Sequence, residues 1–301
     1  MAAYTAYDVV GKKEDISNVI SNISPTLTPF TATTGEEKIT NTLYQWQEDA
    51  LAAPNLSNAA IQGADATEAA PIPTVMRQNY TQILTKTVKV AMTTDAVNRY
   101  GRAKETAYQL GKYSAEVKRD FEAIATSSQA AVVGNNSTVA SLFAAFGAQV
   151  AGANLFLTGG SGVAMTEAKF LTALQALYTA GSNPSVAMIP PGESINIASY
   201  ASAAGRYRTI ADETTGESLT KVINVVNLYV SPFGEVKVAL NRFQPITDHL
   251  IFDPTMWKRE VLRPWSRETL AKTGDATKML IVGEFSVKHK NQLASAIVRK
   301  A

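Results

Sequence analysis

The segment RAKETAYQLGKYSAEVKRDFEAIATSSQAAVV, residues 102–133, contains no proline and a single glycine. Its apolar side chains recur every three or four residues and therefore share one helix face, at Leu110, Tyr113, Val117, Phe121 and Ile124. Charged side chains occupy the rest of the surface: Lys112, Glu116, Lys118, Arg119, Asp120 and Glu122. The pattern predicts a helix roughly 45 Å long at 1.5 Å per residue, capped by Gly134. A rod with one narrow apolar stripe needs a flat partner.

Two strand-like stretches near the C-terminus can supply that partner. They are HLIFDPTMWKREVLRPW, residues 249–265, and KMLIVGEFSVKHK, residues 278–290. In the second stretch the side chains alternate between an apolar face (Met279, Ile281, Phe285 and Val287) and a polar face (Glu284, Ser286 and Lys288). We therefore expect a long antiparallel sheet on which the apolar stripe of the helix lies.

Residues 36–97 predict a projecting hairpin. Residues 38–47 and 79–92 are rich in strand-forming side chains, and the loop of about thirty residues between them consists of Ala, Asn, Pro and small polar residues. A two-stranded ribbon is marginally stable alone in water, so we expect another subunit to stabilise it. Tyr44 and Trp46 are the expected anchors, because large aromatic side chains dominate interface energetics. The alternative is a surface insertion without a binding role.

The remaining segments complete an α+β chain. Residues 1–35 read as an arm with a short helix at 14–20 and extended backbone around Pro25 and Pro29. Residues 98–183 contain the long helix and a second amphipathic helix at 166–180. An α/β lobe follows at 184–248, with strands at 186–189, 221–230 and 235–241 and a helix at 194–204. Residues 249–301 supply the long strands.

The composition limits the class of protein. The chain of 301 residues is 46% hydrophobic and 18% charged, which is enough to bury a core. No window approaches the ~20 apolar residues of a membrane span, and the N-terminus lacks the apolar core of a signal peptide, so no membrane partner is expected. Cysteine is absent, which excludes disulfides and thiol chemistry and suits a reducing cytosol without proving it.

Residue patterns give no support for catalysis. Gly159–Gly162 lacks the spacing of a nucleophile elbow, since Val163 follows it, and it lacks the spacing of a phosphate-binding loop. Two histidines forty residues apart, His249 and His289, with no cysteine in the chain, do not match the ligand spacing of a zinc site. The acidic residues 212–217 lie in a Thr- and Gly-containing loop that reads as a solvated turn. We expect no catalytic, cofactor-binding or metal-binding residues.

Charge is unevenly distributed although the net charge is only +2. Residues 36–70 carry a balance of −5, whereas residues 76–120 carry +5. Complementary charges steer association between copies, although a mixed solvated surface is the simpler reading. The candidate inter-subunit contacts are Tyr44, Trp46, Glu48, Asp49, Asp65, Glu68, Arg99, Arg102 and Lys104. Basic residues of the arm and the helix start could also face DNA through general charge, because no stacking aromatics are interleaved with them.

Five strings, in this order, resemble the major capsid proteins of tailed bacteriophages with the Hong-Kong-97-type fold. They are DVVGKKEDISNVISNISPTLTPF (8–30), NTLYQWQEDALAAP (41–54), RQNYTQILTKTVKVAMTTDAV (77–97), GRAKETAYQLGKYSAEVKRDFEAI (101–124) and DPTMWKREVLRPWSRETLAKTGDATKMLIVGEFSVKHKNQLASA (253–296). The resemblance spans most of the chain and is weakest over residues 135–220. Its specificity comes from the ordered combination, since none of the strings is a catalytic signature.

The resemblance implies a role for each segment. Residues 1–35 correspond to an N-terminal arm, 36–97 to an extended loop that reaches over an adjacent subunit, and 98–183 with 249–301 to a peripheral domain with a spine helix. Residues 184–248 correspond to an axial domain. It further implies self-assembly into pentamers and hexamers of an icosahedral head that encloses double-stranded DNA in the virion. A separate scaffolding protein, a portal and assembly in the host cytoplasm are implied as well.

Two alternatives remain open from the sequence: a nanocompartment shell protein of the same fold, and a soluble enzyme of unknown reaction. Some relatives form Lys–Asn crosslinks between subunits, and Lys38, Lys86, Lys89 and Asn291 are present here, but nothing singles out a pair.

Overall fold

The computed structural model describes residues 27–63, 65, 68, 70–97, 103–135, 137–159, 163–203, 210–211, 218–219 and 228–300. The predicted arm helix at 14–20, the acidic turn at 212–217 and most of the predicted strand at 221–230 lie outside these residues. The described part mixes helices with two main sheets, which confirms the predicted α+β class.

The helices are α1 (Pro29–Thr33), α2 (Met92–Ala96), α3 (Glu105–Ala125), α4 (Phe146–Gln149), α5 (Glu167–Thr179) and α6 (Ser194–Ala203). The strands are β1 (Gly35–Lys38), β2 (Leu43–Glu48), β3 (Val75–Tyr80), β4 (Gln82–Ala91), β5 (Leu155–Leu157), β6 (Val186–Ile189), β7 (Ile210–Ala211), β8 (Ser218–Leu219), β9 (Leu228–Ser231), β10 (Gly234–Leu240), β11 (Asp248–Phe252), β12 (Trp257–Thr269), β13 (Ala276–His289) and β14 (Ser295–Arg299). Short 3₁₀ turns occupy Gly152–Asn154, Pro191–Glu193 and Pro254–Met256.

The strands form a long sheet, a second larger sheet and two pairs. The long sheet has the order β1-β12-β13-β4, and the six-stranded sheet has the order β5-β14-β11-β6-β10-β9. β2 pairs only with β3, and β7 only with β8, among the described residues. The described chain divides into a smaller unit (85–97, 103–117 and 266–282) and a larger unit that holds the rest. The division falls inside α3, β4, β12 and β13.

The long helix is shorter than the sequence pattern predicted. It ends at Ala125, eight residues before Val133, and its 21 residues span roughly 31 Å. Two hydroxyls end it by donating back to helix carbonyls, Thr126 Oγ1 to Glu122 O (2.9 Å) and Ser127 Oγ to Ile124 O (2.7 Å). The prediction that Gly134 caps the helix is therefore wrong. Gly134 instead lies against Ser141, where a Cβ would come within 2.7 Å of the Ser141 nitrogen.

The apolar stripe does lie on the long sheet, as predicted. In the larger unit Phe121 of α3 packs on Phe285 of β13, with ring centroids 5.6 Å apart. In the smaller unit Lys86 of β4 pairs with Glu116 at 2.6 Å and lies over the ring of Tyr113. Each unit therefore holds its own half of the helix against a strand of this sheet.

The polar face of β13 is buried as well. Glu284 and Ser286 are 6% and 0% exposed, because the base of the hairpin covers them. Thr81 Oγ1 donates to Glu284 at 2.6 Å, and Ser286 Oγ donates to the Tyr80 carbonyl at 2.7 Å. The predicted single hairpin over 36–97 is thus divided: β2 and β3 form the ribbon, whereas β1 and β4 belong to the long sheet.

The six-stranded sheet draws on three of the predicted segments. α5, capped at Thr166 and followed by Gly181 at φ 86°, buries Phe170, Leu174 and Leu177. These side chains share one core with residues of β6, β10, β11 and β14. β6 is buried at all four positions and pairs on both sides, with β10 and β11. The predicted boundary at residue 184 therefore lies inside a single core, although the strand at 186–189 and the helix at 194–204 are confirmed to within a residue.

Candidate inter-subunit surfaces

The base of the ribbon is fixed within its own chain. β2 pairs with β3 from Leu43↔Tyr80 to Glu48↔Val75. The Tyr44 hydroxyl donates to the Val287 carbonyl at 2.8 Å and lies 2.8 Å from Ser286 Oγ. Burial raises the pKa of the Tyr44 phenol above its ordinary value. Tyr44 was predicted to anchor a neighbouring subunit, but its ring belongs to the core of its own chain.

Trp46 keeps a surface that another molecule can cover. Its ring is half-buried and stacks on Tyr44, with centroids 5.7 Å apart. The indole Nε1 is shielded from solvent and has no hydrogen-bond partner among the described residues. Buried donors are rarely left unpaired in folded proteins. Trp46 therefore remains a candidate contact.

Three of the six acidic residues in 36–70 are neutralised internally. Glu48 accepts from Arg77 Nε at 2.9 Å and from the Gln292 backbone at 3.0 Å. Glu36 pairs with Arg259, and Glu37 pairs with Lys288. These contacts neutralise the three carboxylates within the chain and reduce the charge available for attraction between copies. Glu48 stays a predicted inter-subunit contact.

The other three acidic residues lie in the loop between β2 and β3, which we call the ribbon tip (residues 49–74). Asp49, Asp65 and Glu68 are exposed there, and the tip contains no Lys or Arg. The tip also exposes large apolar side chains, listed with their exposed fractions: Leu51 100%, Leu56 99%, Ile61 84% and Ile72 68%. Exposed apolar groups concentrated on one projecting segment mark an interaction site.

The smaller unit carries an open groove between β4, α2 and the first turns of α3. Its volume is about 420 Å³, and its walls are Val88, Lys89, Val90, Ala91, Thr94, Glu105, Gln109 and Tyr113. Lys89, Lys104 and Lys112 are exposed on this unit. Of the predicted basic contacts, Lys104 is thus on the surface, whereas Arg99 and Arg102 lie outside the described residues.

Asp95 begins the long helix, a role that the sequence pattern did not reveal. Its carboxylate accepts from the Glu105 nitrogen at 2.8 Å and from Thr106 Oγ1 at 2.5 Å. Hydrogen bonding from the Thr106 side chain, followed by the two backbone donors, lowers the pKa of Asp95 against the effect of burial. The capping residue normally stands directly before the helix. Asp95 stands ten residues before Glu105, so no local capping motif in the sequence reveals it.

Glu122 is a second residue whose role the sequence pattern did not reveal. It was assigned to the solvent face of the helix, but it is 0% exposed and binds the Phe30 and Thr31 backbone and the Asn241 side chain. Phe30 itself packs among Phe146, Phe252 and Trp257. The described end of the arm is therefore attached to its own chain, and Pro29 occupies the first turn of α1 rather than extended backbone.

Metal-binding clusters and helices that could span a membrane are absent from the part of the chain that the structure describes. No group of three His, Asp or Glu side chains there could hold a metal ion. None of the helices described is long and apolar enough to cross a membrane.

A spine helix on a long sheet, a second sheet with its own core and a projecting ribbon with an apolar tip define a subunit that assembles into a shell. The family model of the SU10 major capsid protein matches residues 3–301, and the chain belongs to this family. The major capsid protein of Escherichia phage Phieco32 is 32% identical over 98% of this chain and 96% of its own length. The protein is thus a structural component of a phage capsid, and its place is the virion.

Solved structures share the fold at low sequence identity. The capsid of a native GTA particle matches 98% of this chain and 97% of its own, with a TM-score of 0.66 and 11% identity. The capsid of the cyanophage P-SCSP1u matches 96% and 93%, with a TM-score of 0.63 and 13% identity. The SrpI encapsulin of Synechococcus elongatus PCC 7942 matches 93% and 91%, with a TM-score of 0.58 and 11% identity. The predicted Hong-Kong-97-type capsid fold is confirmed.

Proposed function

We propose that the shell is held together by the ribbon tip of one copy, which lies on the basic surface of the smaller unit of the next copy. The observation that carries this proposal is the composition of the tip. It combines four large apolar side chains, each at least two-thirds exposed, with three carboxylates and no basic residue. Such a segment gains free energy only when another molecule covers it.

The expected contribution of the apolar side chains is considerable. Full burial of a Leu or Ile side chain contributes about 1.5–3 kcal/mol. Four of them on one tip, repeated at every subunit, give a large part of the affinity that a shell contact needs. Obligate interfaces commonly bury more than ~2,000 Å², and an extended loop reaches such an area without enlarging the core. Trp46, with its unpaired indole nitrogen, is proposed to lie at the edge of this contact.

Charge complementarity determines where the tip binds on the next copy. The tip carries Asp49, Asp65 and Glu68. The smaller unit exposes Lys89 at its groove and Lys104 and Lys112 elsewhere on its surface. Arg99 and Arg102 are proposed as further contacts of the tip. Opposite charges accelerate encounter and fix the register of a contact, while the apolar side chains supply most of the affinity.

The complete assembly is proposed to be the icosahedral head, built of pentamers and hexamers of this chain around double-stranded DNA. The interior would contact DNA through general charge. A separate scaffolding protein and a portal are proposed partners, and assembly is proposed to take place in the host cytoplasm. The chain acts structurally in this proposal, without a catalytic step. Residues 184–248 are proposed to form the axial part of each subunit, and the long helix and sheet its periphery.

Deletion of the ribbon tip tests the proposed contact. Removing residues 50–73 keeps β2, β3 and the Glu48–Arg77 pair, so the deletion spares the in-chain contacts of the ribbon. Sedimentation and negative-stain electron microscopy should show a folded subunit, with unchanged circular dichroism, that forms no shells. Normal particles from this variant would remove the ribbon tip from the assembly contact.

A charge swap tests where the tip binds. Replacing the three tip carboxylates by Lys should impair assembly, and a second change of Lys89, Lys104 and Lys112 to Glu should restore part of it. Reversal at Arg102 and Lys104 alone should also weaken assembly. If neither the charge swap nor the reversal at Arg102 and Lys104 changed assembly, the tip would not bind the basic surface of the smaller unit.

The encapsulin-like alternative makes a different prediction for the contents of the particles. Purified particles should hold double-stranded DNA if the chain builds a phage head, whereas a nanocompartment would hold a cargo protein. Nuclease treatment of opened particles followed by electrophoresis separates the two.

A further inference from the structure

Glu260 of β12 is a buried carboxylate in an unusual setting. Its side chain is 0% exposed, and neither carboxylate oxygen has a hydrogen-bond partner among the described residues. An ionised carboxylate without hydrogen bonds is strongly destabilised when water is excluded. A buried polar group of this kind needs a specific explanation, and the shell contact proposed above does not use it.

One lysine is shared between Glu260 and a second carboxylate on the neighbouring strand. Glu37 of β1 lies directly opposite Glu260 in the β1–β12 ladder. Lys288 Nζ is 3.2 Å from Glu37 Oε2 and 3.6 Å from Glu260 Oε1. Like charges on directly opposite residues destabilise a strand pair. A single ammonium group therefore has to neutralise two carboxylates, one buried and one half-exposed.

The other groups that face Glu260 do not remove this competition. Lys258 of β12 lies over Gly35 and lowers the pKa of Glu260 only weakly, and Tyr44 of β2 is a neutral phenol. Burial is the largest influence, opposed by Lys288 and reinforced by Glu37, and together they raise the pKa of Glu260 to about 7. The carboxyl group therefore changes its charge within the physiological range.

The strand beside Glu260 is attached to the sheet by one ladder and by the ion pairs of Glu36 with Arg259 and of Glu37 with Lys288. β1 has four residues, lies at the edge of the long sheet, and is exposed except for Gly35. One further ladder bond, from the Ile39 nitrogen to the Val261 carbonyl at 3.1 Å, follows it. Because β1 joins α1 to β2, the attachment of β1 to β12 fixes the point at which the chain passes from the sheet into the ribbon.

We propose that Glu260 is a pH-sensitive gate for β1. When the Glu260 carboxyl is protonated, Lys288 forms an ion pair with Glu37 alone and holds β1 against β12. With Glu260 ionised, the two carboxylates compete for Lys288 and repel each other, and β1 separates from the sheet edge. The gate is a property of the single chain and does not depend on how copies assemble.

The direction of the pH effect follows from linkage. A carboxyl group that binds its proton more tightly in the closed state than in the open state favours closure at low pH, and this preference is lost as the pH rises towards 7. The opening equilibrium of β1 should therefore increase by up to about tenfold per pH unit between pH ~5 and ~7 and then become constant.

Hydrogen–deuterium exchange of the full-length chain measures this equilibrium. Exchange of the amides of residues 35–39 is recorded from pH 5 to 8.5 and corrected for the intrinsic pH dependence of exchange. Wild-type protein should lose protection at these amides by tens of fold across the range. E260Q, which resembles the protonated carboxyl, should keep high protection at every pH.

Two surface variants complete the test. E36Q removes the other β1 carboxylate, which pairs with Arg259, and should keep the pH dependence. E37Q frees Lys288 to pair with Glu260 alone and should reduce the pH dependence of protection. This variant keeps the test decisive if E260Q folds poorly. A wild-type protection that does not change with pH, or an equal pH dependence in E260Q or E37Q, would overturn the gate.

Discussion

Glu122 accepts the backbone N–H of Phe30 at 2.6 Å although 92 residues separate them along the chain. The other carboxylate oxygen accepts from the nitrogen and the hydroxyl of Thr31, at 2.9 and 2.5 Å. Asn241 Nδ2 donates to the first oxygen at 2.8 Å. The buried carboxylate thus satisfies the free N–H groups at the start of α1 and attaches the end of the arm to the long helix and to the turn after β10.

Replacing Glu122 should destabilise the subunit strongly. E122A leaves the buried Phe30 N–H and the buried Asn241 amide without this acceptor, and each unsatisfied group costs about 1–3 kcal/mol. We expect a loss of about 2–5 kcal/mol in the free energy of unfolding, measured by chemical denaturation of the unassembled subunit. E122Q keeps the shape but presents an NH₂ group to donors, so it should lose about 1–3 kcal/mol.

A carboxylate on the same helix provides the control. Glu116 is paired with Lys86 and Lys112 near the surface, and partly exposed ion pairs contribute about 0–1 kcal/mol. E116Q should therefore change stability by no more than about 1 kcal/mol. If E122Q and E116Q were equally stable, the clamp on α1 would not contribute to the fold.

The sequence could not have predicted this clamp. Periodicity assigns residues to helix faces from their immediate neighbours, and Glu122 stands among Lys118, Arg119 and Asp120 like any solvated acid. Its partners lie 92 and 119 residues away. Elements with local signals were predicted well: the helix expected at 166–180 is α5, and the strand expected at 186–189 is β6.

The ribbon, too, was predicted only as far as neighbouring residues in the sequence determine it. The composition of residues 48–78 predicted a long exposed loop, and β-forming residues predicted strands on both sides of it. The separation of β1 and β4 from the ribbon depends on pairing with β12 and β13, which lie about two hundred residues downstream along the chain. Tyr44 looked like an interface anchor because its partners, Ser286 and Val287, are equally remote.

Two Gly→Ala substitutions should have opposite effects. A Cβ at Gly283 of β13 would lie 2.4 Å from Phe285 Cε2 and 2.6 Å from Trp265 Cε3. Overpacking of a filled site costs about 1–3 kcal/mol, so G283A should lower the free energy of unfolding by that amount. Chemical denaturation followed by circular dichroism measures it, and wild-type stability in G283A would show that the two rings can move aside.

G111A is the matched variant. Gly111 lies within α3, and nothing stands within 4 Å of a Cβ placed there. Alanine is favoured over glycine inside a helix by about 1 kcal/mol, so G111A should stabilise the subunit by up to that amount. Because nothing in the chain stands near a Cβ at this position, the same variant should also assemble normally. A stable G111A subunit that fails to assemble would indicate that another copy packs against residue 111, and a destabilised one would contradict the prediction.

His289 should make the subunit sensitive to acid. The Trp257 indole donates to Ser295 Oγ at 2.9 Å, and this hydroxyl lies 2.9 Å from His289 Nε2, while His289 Nδ1 faces the Gln149 carbonyl at 3.3 Å. Burial lowers the pKa of His289 to about 4. Because the unfolded chain binds this proton near pH 6.5, the stability that the neutral ring contributes is present above pH 6.5 and is lost as the pH falls to about 4.

The H289Q variant isolates this effect. The difference in unfolding free energy between wild type and H289Q should shrink by about 3 kcal/mol from pH 7 to 4. Glu260 contributes with the opposite sign, because its raised pKa gives stability that is lost as the pH rises through about 7; it is present in both proteins and cancels in the comparison. The chain has only two histidines, so an H249Q variant assigns the ring signals in NMR spectra. A His289 signal that titrates near pH 6.5 in the folded subunit would show that the ring is accessible to water and that acid unfolding has another origin.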